Sequence, residues 1–322
     1  MLELWNRNLK TGIFFHPSFL WHDTGVNHPE NYLRVERVIN KLNNLKSGKL
    51  KHFNCPYASI EQIGKVHDRK YIDKIINYFP LKESILLDSD TLLSPKSLEA
   101  CLRAPGAVIS AIKMVQQKKL KNAFCVVRPP GHHARISKGM GFCIFNNIAI
   151  GAAYARHELG IKKIAIIDID VHHGNGTEEW VRSDNNNFLF FSIHQSPLYP
   201  GTGRQSNLSE KDISNHILSP GQGSSEFREL MESNLIPRLD LFKPEMILLS
   251  IGFDGHKLDN ISDINLISED YGWVTEIVCK IAAKYCSGKL ISILEGGYNY
   301  SALEESSSNH VAALIKADNI QV

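Results

Sequence analysis

The sequence predicts an α/β fold: one domain over residues 1–322, with a mainly parallel central sheet and helices on both faces. Three observations point there. Short apolar runs recur along the chain. Most lack the polar–apolar alternation of a half-exposed strand, as expected of strands covered on both sides. Helical patterns lie between them, and a strand–helix–strand succession builds parallel sheets.

Residues 12–15 form the first run. Residues 29–45 carry a helical pattern after His28, with Pro29 at a suitable first helical position. Residues 95–117 also read as helical, and Pro105 should kink or divide that helix. The runs at 123–127, 164–167, 188–193, 246–250 and 290–294 are the remaining strands. A helix is expected at 145–159, where Ile148, Ala149, Ala152, Ala153 and Tyr154 fall at helical spacing. Two more are expected at 224–241 and 268–286, each opening on serine as an N-cap. The polar stretch 304–309 reads as the most flexible segment.

Apolar residues make up 43% of the 322, enough for a large core. Lys plus Arg number 36 against 34 Asp plus Glu, a net charge of +2, which argues against a protein built around nucleic-acid phosphates. The six cysteines, Cys55, Cys101, Cys125, Cys143, Cys279 and Cys286, form no CxxC pair. They read as buried reduced thiols of a cytoplasmic protein. Residues 1–7 lack the basic start and apolar run of a leader. No stretch of about 18 apolar residues points to a membrane span.

In parallel α/β sheets ligands bind beyond the carboxyl ends of the strands. Five runs are followed there by ionisable residues: His132 and His133, then Asp168 to His172, His194, Asp254, and Glu295 to Tyr298.

Asp168, Asp170 and His172 alternate, so in an extended segment they face one side. Singly, the aspartates could cap a helix beginning near Gly174 and His172 could be a core histidine. Three ionisable groups on an apolar strand, however, cost several kcal/mol unless paired or metal-bound. Asp170 and His172, joined by Asp254 from another strand end, suit zinc, and three protein ligands leave a position for water. His132 and His133 could be a polar turn, yet a hydrolase needs a base for water and an acid for the leaving amine. Asp168 and Asn175 are natural partners for the two rings. Tyr298 follows Gly296 and Gly297, which allow a tight turn, and its phenol can meet an oxyanion. Alone, it would read as a loop tyrosine.

Together these segments resemble the histone deacetylase superfamily, which includes acetylpolyamine amidohydrolases and has an arginase-like fold. The matching stretches are RPPGHHA at 128–134, GFCIFNN at 141–147, DIDVHHGNGT at 168–177, PGTG at 200–203, GFD at 252–254 and EGGY at 295–298. The resemblance implies Asp170, His172 and Asp254 as ligands of zinc, with ferrous iron as the other option. It implies His132 and His133 as the tandem catalytic histidines, backed by Asp168 and Asn175, and Tyr298 as the transition-state tyrosine. Asn175 and Glu295 look like the class II and acetylpolyamine branches. Asn carries no charge, so protonated His133 should be less stabilised than beside Asp, and His133 is expected to be the general base and acid.

The resemblance further implies Phe142 and Tyr199 as tunnel walls, Tyr199 departing from the usual Phe. Gly141 corresponds to a carbonyl for the substrate amide and Ile261 to an apolar rim residue. Asp88 and Asp90 precede a helix and are expected at the rim, where an aspartate can attract a polyamine or, in deacetylases, hold the substrate backbone. A potassium ion is implied at Asp168, Asp170, His172, Ser192 and Ile193, and an acetate channel lined by Arg34. The substrate is then an acetylated lysine in a peptide or protein, or an acetylated polyamine. Nucleic acid and membrane are not expected as partners. A two-metal arginase-like hydrolase and a catalytically weak acyl-lysine binder are the competing readings.

Overall fold

In the computed structural model, which describes residues 9–45, 47–184, 188–206 and 212–317, the apolar runs become strands of one sheet. The leader reading of residues 1–7 and both ends of the 1–322 domain reading lie outside the described residues. In chain order the elements are β1 (Thr11–Phe14), α1 (Tyr32–Asn43), β2 (Leu50–Phe53), α2 (Ile60–Ile63), α3 (Arg69–Asn77), β3 (Ile85–Leu86) and β4 (Leu92–Leu93). They continue with α4 (Ser97–Gln116), β5 (Asn122–Cys125), α5 (Asn147–His157), β6 (Ile164–Asp168), α6 (Asn175–Ser183), β7 (Phe188–Gln195) and β8 (Ile213–Leu218). The last are α7 (Ser224–Leu230), α8 (Ile236–Phe242), β9 (Met246–Ile251), α9 (Ser268–Cys286), β10 (Leu290–Leu294) and α10 (Tyr300–Lys316).

The sheet runs β2-β1-β5-β10-β9-β6-β7-β8, and every pairing in it is parallel. β3 and β4 form a separate antiparallel ribbon. The strands β5, β6, β7, β9 and β10 are buried at every residue, as runs without alternation should be. Helices cover both faces: α4 packs on α5, α10 packs on α1 and α9, and both groups touch the sheet. Among the described residues no helix is long and apolar enough to cross a membrane.

Several boundaries differ from the sequence reading. Helix α1 begins at Tyr32 because the side chain of Asn31 accepts the Leu33 amide and caps it, leaving Pro29 outside. Helix α4 passes through Pro105 undivided, since Ala104, Ala107, Val108 and Ala111 bury it on both sides of the proline. The expected helix 224–241 is interrupted by a wider π turn at Met231–Leu235, immediately ahead of Pro237, which has no N–H for the usual bond. Ser224 and Ser268 are the first helical residues, not caps; Glu226 accepts the Gly223 amide and Asp270 the Ile267 amide instead. The 304–309 stretch lies inside α10, with Ser306 and Ser307 buried. All six cysteines are buried and unpaired.

Candidate active site

The carboxyl ends of β5, β6, β9 and β10 are neighbours in the sheet, and their following segments are stitched by main-chain bonds. Ile169 N donates to Ser250 O at 3.0 Å, Glu295 N to Ile251 O at 3.0 Å, and Phe253 N to Gly296 O at 3.1 Å. This brings Asp170, His172 and Asp254 together: one ligand atom of each lies within 4.8 Å of the others, and all three residues are buried. Nδ1 of His172 is 3.0 Å from Asp170 Oδ1 and 3.2 Å from Asp254 Oδ2. The remaining carboxylate oxygens accept main-chain amides, Asp170 Oδ2 that of Gly296 at 2.8 Å and Asp254 Oδ1 that of Val171 at 3.1 Å. Gly296 must be glycine: a methyl group there would collide with the Asp254 and Asp170 carboxylates.

Burial lowers the basicity of the His172 ring, but the two carboxylates win and raise its pKa to about 10. Asp254 is pushed up to about 6 by burial and by the neighbouring Asp170 charge. A buried imidazole between two carboxylates offers one nitrogen and carboxylate oxygens to a cation, a donor set suited to zinc or ferrous iron. The group fits; the charge that the carboxylates now draw from a proton is what a dication would supply.

His132 and His133 follow β5, with ring centroids 4.0 Å apart and planes tilted by 44°. His132 Nδ1 lies 3.0 Å from Asp168 Oδ2, and His133 Nδ1 lies 2.8 Å from Asn175 Oδ1. The two rings are tuned oppositely. Burial would depress His132, yet the Asp168 charge raises its pKa to about 10. His133 is held well below the usual range by burial and by the charges of His132 and His172, against which Asn175 offers only a hydrogen bond.

The rings face a cavity of about 230 Å³. Phe142 and Tyr199 wall it, Leu198 and Ile261 add apolar rim, and Asp90, Gly141 and Tyr298 also line it. Gly141 and Phe142 both adopt left-handed backbone, φ 56° and 66°, so the wall is built on a strained turn that the Phe142 amide helps fix by donating to Thr91 Oγ1 at 3.0 Å. Burial keeps the Tyr298 phenol pKa well above its ordinary value, although Arg34, 4.8 Å from the ring centroid, pulls the other way. Arg34 itself is behind the cavity wall and fully buried, donating to Gly297 O at 2.6 Å and Glu295 O at 2.5 Å. Register in β6 and β7 sets Asp168 beside Ser192, with Ile193 next along β7. The Ser192 hydroxyl shares a 2.9 Å bond with His194 Nδ1.

Two residues that the sequence reading left without a role hold this arrangement. Glu295 Oε2 accepts the Gly131 and His132 amides at 2.7 and 3.2 Å, and Oε1 accepts the Ser250 hydroxyl at 2.8 Å. Burial raises its pKa to about 7. Asp259 Oδ2 accepts the amides of Tyr298 and Asn299. Neither carboxylate meets a side chain that a motif could announce, except Ser250; their partners are main-chain amides.

A model of the histone deacetylase domain matches residues 28–314. The chain belongs to the histone deacetylase family. It is 36% identical over 355 residues to type-2 histone deacetylase 2 of Dictyostelium discoideum, covering 95% of this chain but only 21% of that protein. It is 34% identical over 316 residues to a probable deacetylase of Archaeoglobus fulgidus, covering 96% of this chain and 87% of the other. A crystal structure of the HDA15 HD domain superposes with a TM-score of 0.88 at 30% identity, over 96% of this chain and 88% of that one. The histone deacetylase fold accounts for the parallel sheet and the placement of the cavity at its carboxyl edge.

Proposed function

We propose that this chain, as one catalytic domain, is a metal-dependent amide hydrolase that removes acetyl or other acyl groups from lysine side chains or related amines and releases acetate. The observation that carries the reading is the convergence of Asp170, His172 and Asp254, whose ligand atoms lie within 4.8 Å of one another, beside the adjacent His132–His133 pair. Zinc or ferrous iron would be held by those three residues. Such an ion supplies a Lewis acid for the carbonyl and makes water more acidic.

The protein's own residues do the rest. His133 presents its second ring nitrogen to the cavity, because Nδ1 is engaged by Asn175. Its low basicity keeps it neutral and able to take a proton from the attacking water. His132, held charged by Asp168, adds a positive field beside the forming oxyanion. Tyr298 keeps its proton and donates it in a hydrogen bond to that oxygen. When the C–N bond breaks, His133 returns its proton to the leaving nitrogen, giving acetate and free amine. Phe142 and Tyr199 hold the acyl-bearing chain and exclude water. Gly141 accepts the substrate amide N–H, while Ile261 and Asp90 meet the substrate at the rim. A potassium ion held by Asp168, Asp170, His172, Ser192 and Ile193 would stiffen the strand ends, and Arg34 would assist acetate exit. The six buried, unpaired thiols support a reducing, cytoplasmic setting.

An acetylated polyamine is the second reading, favoured by the Asp90 carboxylate at the mouth, which would attract a spare ammonium group. Turnover of acetyl-lysine peptides and of acetylated polyamines, each with and without a chelator, decides. Chelator-sensitive release of acetate is expected. Absence of turnover on both substrates, in protein loaded with zinc or ferrous iron, removes the hydrolase reading and leaves an acyl-lysine binder.

A further inference from the structure

Asp259 lies in the rim loop that follows Asp254, yet its side chain points inward and is only 5% exposed. One of its oxygens, Oδ2, accepts two consecutive amides of the Gly-Gly-Tyr turn, Tyr298 N at 2.6 Å and Asn299 N at 2.9 Å. Those amides are the last before α10, whose first turn is capped by Asn299. Asp170, Phe253 and Arg34 anchor the Gly296 amide and the Gly296 and Gly297 carbonyls, which leaves the amides of residues 298 and 299 to Asp259. Gly297 stands at φ 116°, a conformation open to glycine, and Gly296 has no side chain to pack. A hydrogen bond to a charged acceptor is stronger than one between neutral groups, and here two converge on one oxygen.

The same loop carries Ile261, two residues on, whose amide approaches Asp259 Oδ1 at 3.4 Å. A second cavity of about 330 Å³ is lined by Asp259, Leu258 and Pro29, and it shares Ile261 and Tyr298 with the catalytic cavity. One carboxylate thus joins the rim loop to the main chain that aims the phenol.

We infer that Asp259 is the positioning residue for Tyr298, setting where the phenol stands over the reacting carbonyl and coupling it to the rim loop that carries Ile261. The inference rests on the reading of Tyr298 as the oxyanion donor. Asp259 touches neither substrate nor reacting atoms; it acts through the main chain of residues 298 and 299.

A double-mutant cycle on the metal-loaded full chain tests this. Steady-state kcat and KM on an acetyl-lysine peptide, with metal content, are measured for wild type, Tyr298→Phe, Asp259→Ala and the double variant. Asp259→Ala is expected to lower kcat roughly 10- to 100-fold, as small misplacements of catalytic groups do, with metal content unchanged. The same change in the Tyr298→Phe background is expected to cost less than about twofold, because residues acting as a unit are not additive. Asp259→Asn, whose amide oxygen can accept both N–H groups, is expected to recover most of the lost turnover. If Asp259→Ala does not fold, Asp259→Glu, which keeps the charge but moves the acceptor by one methylene, enters the cycle in its place. Equal losses in both backgrounds, or unchanged kcat in the Asp259 variant while Tyr298→Phe is impaired, overturn the inference alone. Undiminished kcat in Tyr298→Phe overturns the donor reading, and the inference with it.

Discussion

Oδ1 of Asn175 stands 2.8 Å from Nδ1 of His133, and the nitrogen of the same amide donates to the sulfur of Met140 at 3.6 Å. The sulfur has no proton to give, so it fixes which way the amide points: the oxygen must face His133. The ring then carries its proton on Nδ1, and the nitrogen toward the cavity is a free base. With an uncharged partner, that base is weak.

Replacing Asn175 with Asp therefore has a predictable sign. A carboxylate beside Nδ1 stabilises the protonated ring and raises the His133 pKa. A general base works only when deprotonated, so the acidic limb of kcat/KM should move to higher pH in Asn175→Asp. A pH profile of wild type and variant measures it; coincident acidic limbs would take His133 out of the base role.

Asp254 contributes to the candidate metal centre from the segment after β9, whereas Asp170 and His172 come together from the segment after β6. Asp254→Ala leaves only two ligands and frees the Val171 amide. The expected result is loss of bound divalent metal and of activity in a protein that still folds. Elemental analysis after metal loading reads this directly, and one ion per chain in the variant would exclude Asp254 from the ligand set.

Glu295 is a matter of stability as much as of chemistry. Glu295→Ala strips the acceptor from the amides of Gly131 and His132 and from the Ser250 hydroxyl, all buried. Each buried donor left without a partner costs about 1–3 kcal/mol. Urea unfolding should show a loss within that range per group, and Glu295→Gln, which keeps an oxygen for the amides, should lose less. A midpoint unmoved by Glu295→Ala would mean that water replaces the carboxylate.

His310 bridges α9 to β10, its ring nitrogens 2.7 Å from Thr275 Oγ1 and 2.7 Å from Ser292 Oγ. Burial pulls its pKa down to about 3. The folded state then leaves this ring neutral while the unfolded chain protonates it below about pH 6.5. Stability from this residue is complete above that pH and declines as pH falls from 6.5 toward 3, by up to about 1.4 kcal/mol per unit. Between pH 6.5 and 5 the unfolding free energy of wild type should fall more steeply than that of His310→Gln. Parallel slopes would show that His310 takes up its proton in the folded state.

Much of the site was legible because chemistry was concentrated where apolar runs end. Asp168, Asp170 and His172 alternate at the end of an apolar run, where so many ionisable groups beside Ile166 and Ile167 are costly unless paired or metal-bound. The strand itself stops at Asp168, and a bend carries the other two. The supporting carboxylates were not legible, because Asp259 and Glu295 act on amides, which every residue possesses. In the fold, β8 was missed since Asn215 and His216 interrupt its apolar pattern. The 304–309 serines suggested flexibility, but their small size lets α10 lie close against α9, where Ser306 Oγ meets Ser268 Oγ at 3.2 Å. Polar composition is a guide to exposure only where no helix needs a thin face.

The strand order has a consequence for how the molecule is made. β10, the last strand among the described residues, sits in the middle of the sheet between β5 and β9. A nascent chain emerging from the ribosome cannot close its sheet until residue 294 is free, and the turn at 296–298 arrives later still. Until then β5 and β9 present bare edges to one another and to any other chain nearby. Assembly of the candidate site accordingly waits on this central strand, and a chain stalled or clipped before residue 294 leaves an open sheet.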